Sequence, residues 1–201
     1  MDMADGLAQA ARDGDAAAVA QWLDAGAEVD ALSTTRRAAL DLAVHAGHTE
    51  TVRVLLAAGA DPQQRAGEYG ELTPLCLAAM YGHTAVVEIL LDAGAPTGAQ
   101  GRMNYVPLVL AATATEHGHP QTVDLLLRHG VDINGVMKDK TALEWAAAFG
   151  KVQMMHQLLA RGATPTAKAL SEAHAGAKRS PEAAQKYALI VDALHAAGID
   201  D

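Results

Sequence analysis

Thr73-Pro74-Leu75-Cys76-Leu77-Ala78-Ala79-Met80-Tyr81-Gly82-His83 is the stretch that decides the fold. Proline at a first helical turn costs no hydrogen bond. The Ala- and Leu-rich run after it is predicted to form a short helix, ended by a glycine free to turn left-handed. Variants recur as Ala39-Leu40-Asp41-Leu42-Ala43, Pro107-Leu108-Val109-Leu110-Ala111-Ala112 and Ala142-Leu143-Glu144-Trp145-Ala146-Ala147. The closing glycines, with one earlier copy, are Gly14, Gly47, Gly82, Gly118 and Gly150, spaced 32 to 36 residues apart. Twelve positions after each stands another: Gly26, Gly59, Gly94, Gly130 and Gly162. Between them the fifth residue is apolar (Val19, Val52, Val87, Val123, Met155), as are the eighth and ninth, such as Leu90-Leu91. That spacing marks one face of a second helix. A period of this length makes the chain an array of helix pairs.

The pattern resembles the ankyrin repeat. Thr73 to His83 follows that family's signature at every framework position except its histidine, and Gly94-Ala95 supplies the usual ending. The resemblance implies an all-α solenoid of helix pairs with β-hairpin or loop fingers, the fingers and inner helices forming a concave binding surface. Four signature units are expected at about 33–65, 66–97, 98–134 and 135–164, between an N-terminal cap (1–32) and a divergent C-terminal capping unit (165–201), all one domain. In that last unit Val191, Leu194 and Gly198 keep their mutual spacing, but Lys186 stands where the first glycine belongs. Its helices are expected to be longer, with Ser180 capping and Pro181 opening the last one.

Composition agrees. Of 201 residues 50% are apolar yet only 3% aromatic, so the core must be Ala, Leu and Val, which suits close-packed helices and argues against a β-sandwich. The net charge is −9, but residues 1–30 hold seven acids against Arg12 alone, so most of the acidity belongs to the cap. The case against nucleic acid rests on the lack of a continuous basic stripe. No apolar run approaches the ~20 residues of a membrane span, and Met1-Asp2-Met3-Ala4-Asp5 has the wrong charge for a signal peptide. A cytoplasmic monomer is expected, and the Ala-rich usage looks like a high-GC bacterial coding sequence. Cys76 is the only cysteine, so no intrachain disulfide can form. No cofactor is called for: the repeated glycines are helix ends, and His117 and His119 lack a third metal ligand.

Departures from the signature carry the functional reading. Its histidine is replaced by Asp41, Cys76, Val109 and Glu144, which reads as drift in a tolerant framework or, for the acids, as carboxylates aimed into a groove. His48, His83 and His119 read as framework hydrogen-bonders. Thr113-Ala114-Thr115-Glu116-His117 puts three extra residues before Gly118, predicting an additional helical turn or a bulged loop. Of seven aromatic residues, Tyr69, Tyr81, Tyr105 and Phe149 fall at finger or inner-helix-end positions that the resemblance places on the concave side.

These observations favour a non-catalytic module that binds another protein. Tyr69, Met80, Tyr81, Tyr105 and Phe149 are its expected apolar anchors, Arg36, Arg37, Arg102, Lys138 and Lys140 its cations, and Glu116 and His117 its polar rim. The alternative is an enzyme or enzyme accessory with a polar site near 113–117, built from Glu116, His117, Asp41 and Glu144. A third reading is an immunity- or inhibitor-type partner of one specific enzyme.

Overall fold

A computed structural model describes residues 2–65, 72–99 and 104–199. The described helices fall into six antiparallel pairs: α1 (Met3–Asp13) with α2 (Ala16–Asp24), α3 (Ala39–Ala46) with α4 (Thr49–Ala57), and α5 (Pro74–Tyr81) with α6 (Thr84–Asp92). Three more follow: α7 (Pro107–Thr113) with α8 (Pro120–Arg128), α9 (Ala142–Ala148) with α10 (Val152–Ala160), and α11 (Ala167–Arg179) with α12 (Ala184–Ala196). The inner helices α1, α3, α5, α7, α9 and α11 pack in that order. Behind them α2, α4, α6 and α8 form a second row, and α10 packs on α12.

The repeat period is a burial period. Val19, Val52, Val87, Val123 and Met155, five residues after the unit glycines, are fully buried, as are Leu55, Leu90, Leu126 and Leu158 three positions on. Short inner helices rich in alanine let neighbouring units approach closely, and Leu40, Leu75, Leu108 and Leu143 fill the seams. Because neither helix of a pair can bury its apolar stripe alone, each unit needs the next.

The unit glycines do more than end helices. Gly14, Gly47 and Gly82 sit at φ +77°, +75° and +70°, and the next unit's histidine ring lies directly against each. A Cβ on Gly82 would stand 2.3 Å from His119 Nδ1 and 2.6 Å from its Cγ. On the far side of the ring, Nε2 of His48, His83 and His119 donates to the carbonyls of Arg12, His45 and Met80 at 3.0–3.1 Å. The acceptor in each case lies two residues before the glycine. The framework role expected for these histidines is therefore a stitch between units.

Two later units change the stitch. Lys151 follows Gly150 where a histidine is expected, and its ammonium donates to the Thr115 and Glu116 carbonyls. Tyr187 occupies the slot in the cap, buried, with its hydroxyl donating to the Ala148 carbonyl at 3.2 Å and its ring against Gly150 and Gly176.

The extra residues form a bulge, not a helical turn. In ordinary units the residue after the glycine donates its amide five residues back, as His83 does to Ala78 at 3.0 Å. His119 makes the same bond to Ala111 at 2.8 Å, so three residues are looped out and the helix pairing is preserved. The last unit differs from expectation in detail. Its two helices are indeed longer, 13 residues each, but Pro181–Ala183 is a separate 3-10 turn, and Ser180 makes no side-chain cap to it. Leu72 and Tyr105 are bridge residues at the bases of two fingers, and in the last finger an antiparallel bridge pairs Met137 with Lys140. Lys138 and Asp139 turn it at φ 49° and 63°, the two positive values of a tight hairpin.

Candidate partner-binding face

The residue just before each unit glycine lies at or beyond the end of an inner helix. Asp13, Ala46, Tyr81, His117 and Phe149 hold this position and all are exposed. Two of the five are large apolar rings, Tyr81 43% and Phe149 52% exposed. Water-facing aromatics at one register position need support, and residues of the same unit, with His45 of the preceding one, provide it. Tyr81 meets His45 edge-on at 4.9 Å and stacks on His83 at 5.8 Å. Phe149 stacks on Trp145 at 5.3 Å, and Lys140 Nζ lies 4.8 Å over the Trp145 ring. Trp145 is fixed by donating its indole N–H to the Met137 carbonyl at 3.0 Å, and Lys140 by Glu172 at 3.2 Å. A connected run thus extends from the hairpin finger down α9 to the helix end.

Beside Phe149 the bulge opens a cleft of about 230 Å³. Glu116 and His117 form one wall and Lys186 of α12 another. Its floor is Gly150 to Met154. Lys186 Nζ lies 3.2 Å from Glu116 Oε1, and this ammonium holds the exposed Glu116 carboxyl below its usual range. Lys151 is 8% exposed with only backbone carbonyls as hydrogen-bond partners, and burial, partly opposed by the nearby Glu116 carboxylate, pulls its ammonium below the ordinary lysine range.

Several expected site residues serve elsewhere. Asp41 is buried and ion-paired with Arg37, so this arginine neutralises a framework acid and is not offered to a partner. Glu144 is also buried. Its Oε2 accepts from the Thr141 amide at 2.9 Å and its Oε1 from the Thr166 hydroxyl at 2.8 Å. The Thr141 hydroxyl in turn accepts from the Glu144 amide, completing a capping box. Neither acid lines the cleft, which corrects the grouping of Asp41 and Glu144 with Glu116 and His117 in one polar site. Both read as framework. Met80 and Tyr105 are half-buried against the core, while Arg36 and Lys138 are exposed. Tyr69 and Arg102 lie outside the described residues. Cys76 is fully buried, and that burial pushes its thiol up to about 11, leaving almost no thiolate at neutral pH.

Sequence reasoning missed His45, Lys151 and Lys186 as parts of this face. For the lysines a signal existed: Gly-His pairs become Gly150-Lys151 and then Lys186-Tyr187, two framework departures beside the one insertion. For His45 there was none, since its role depends on Tyr81 one unit away.

A stacked array of helix pairs at this period defines a helical repeat protein. The family model for ankyrin repeats, in three copies, matches residues 7–101 and again 101–169. The chain belongs to the ankyrin repeat family, whose repeats generally mediate protein–protein interaction. No curated protein matches it. Among the described residues no helix is long and apolar enough to cross a membrane.

Proposed function

We propose that the protein is a non-catalytic, monomeric, cytoplasmic binding module that grips a partner protein along its inner-helix and finger face. The observation carrying this reading is the pair of exposed rings, Tyr81 and Phe149, at one register position of the inner helices. Large aromatics dominate the energetics of protein interfaces, and these are braced by neighbours before any partner arrives, so little ordering entropy opposes binding. Lys140, held over Trp145, and the exposed Arg36 and Lys138 flank them with positive charge.

The test is affinity capture from the native cell with the wild-type chain and the Tyr81→Ala/Phe149→Ala double variant, each checked by circular dichroism. Both truncations remove exposed rings, so helicity is expected to stay unchanged while the partner is lost. Capture at wild-type levels by the double variant overturns this placement of the face.

A further inference from the structure

Three departures from the repeat pattern meet in one place: the bulge at 113–117, Lys151 in a histidine slot and Lys186 in a glycine slot. The bulge carries its carbonyls outward, and Lys151 reaches the Thr115 and Glu116 oxygens from the next unit. Lys186, from the unit after that, closes over the same bulge by pairing with Glu116, 70 residues away in sequence. The resulting cleft spans three units, with Phe149 at its mouth.

Its unspent hydrogen-bonding capacity is mostly that of donors. An ammonium has three N–H groups. Lys151 gives two to carbonyls, and the one carboxylate it feels, Glu116, is hydrogen-bonded to Lys186 instead, so two ammoniums share a single acid. Lys186 has one acidic partner and more than half of its side chain in solvent. Lys151 is also the N-cap of α10 and gives that helix no side-chain cap, so the positive end of the helix adds to the same field. Against these stands one acid, Glu116, already held by Lys186. Phe149, Val152 and Met154 supply apolar surface, and Gln153 a neutral polar side chain. The volume is below the roughly 300–1,000 Å³ of sites that enclose a whole small-molecule ligand. It suits one or two side chains of a longer segment.

We propose that this cleft is the specificity pocket of the partner-binding face and takes an Asp or Glu side chain of a partner protein, with an adjoining aliphatic residue seated on Phe149. The inference rests on the binding function proposed above and names the partner's chemistry. The carboxylate supplies a second countercharge where two ammoniums share one acid, and Lys186 swings from Glu116 to share it. Glu116 then acts as a placeholder that keeps the lysines apart from other anions until the segment arrives.

The test uses the full-length, nitrogen-15-labelled chain titrated with the blocked tripeptide acetyl-Leu-Glu-Leu-amide, its Gln counterpart and inorganic phosphate. The Glu peptide is expected to shift the Gly150, Lys151 and Gln153 amides saturably, with a Kd on the order of millimolar for so short a probe. The Gln peptide is expected to bind at least about tenfold more weakly, since it forfeits the charge-assisted bonds. Lys186→Met, an exposed substitution with little bearing on folding, is expected to weaken the Glu peptide about fivefold. Glu116→Gln is expected to tighten it, because the competing carboxylate is gone, and this opposite sign cannot come from a loss of fold. Equal binding of the Glu and Gln peptides, no shift with either, or weaker binding by Glu116→Gln overturns the proposal. Phosphate moving the same amides where the Glu peptide does not makes this a free-anion site and also overturns it. Should the Glu peptide bind as expected while the Tyr81→Ala/Phe149→Ala variant still captures its partner, the broader face is wrong and the pocket survives; the reverse result rejects the pocket alone.

Discussion

Gly82→Ala is expected to cost roughly 3 kcal/mol or more in urea unfolding, while Gly94→Ala, a glycine of the same unit, is expected to cost about 1 to 2 kcal/mol. Both glycines have left-handed backbones, φ +70° and +79°, so both pay the strain of placing a side chain there. They differ in surroundings. A Cβ at Gly94 meets nothing within 4 Å, whereas one at Gly82 overlaps the His119 ring at 2.3 to 2.6 Å. That ring has no easy retreat, because its Nε2 is bonded to the Met80 carbonyl at 3.0 Å. Moving it breaks the stitch between two units and loosens their shared core. Unfolding midpoints measured for both variants decide the matter, and equal losses would mean that the histidine stitch contributes nothing.

Glu144→Ala is expected to destabilise by about 3 kcal/mol, with Glu144→Gln recovering part of the loss. The carboxylate serves two helices at once. It accepts from the Thr141 amide at the start of α9 and from the Thr166 hydroxyl that caps α11. Alanine strands both donors in a site only 5% exposed and removes half of a capping box. Glutamine keeps the shape, one oxygen to accept from the Thr141 amide and an NH₂ that can donate to the Thr166 hydroxyl oxygen, but it loses the charge assistance of the carboxylate. Thermal melts of the three proteins should rank wild type, Gln, Ala. Should Ala melt with the wild type, Glu144 has no framework role and its reading as a groove residue returns.

Glu144 also shows where the sequence stopped being legible. The helix pairs, their order and the buried apolar positions follow from spacing alone, because burial in a repeat is periodic: Val52, Val87 and Val123 occupy equivalent positions and are all fully buried. The site is not periodic. Whether an acid at the signature-histidine position faces a groove or a neighbour depends on what its own unit or the next one presents. For Asp41 that neighbour is Arg37 on its own helix approach, and for Glu144 it is Thr166, 22 residues on. Tyr81 and Phe149 were readable because their exposure is set by register, one place before a glycine. Tyr105 was placed among the exposed rings on the same logic. It instead packs on the core, with its carbonyl 3.8 Å from Cys76 Sγ, because a finger base has a unit on either side. The bulge could be counted in the sequence, but its partners Lys151 and Lys186 come from two later units, and only the stacked structure brings the three together.

Photocrosslinking in the native cell tests the binding face most directly. A benzoylphenylalanine placed at position 81 or 149 is expected to trap one and the same partner protein. The same probe at exposed position 88, on the outer helix α6, is expected to trap none. A partner caught from position 88 and missed from 81 and 149 would put the interface on the opposite row of helices and contradict the assignment.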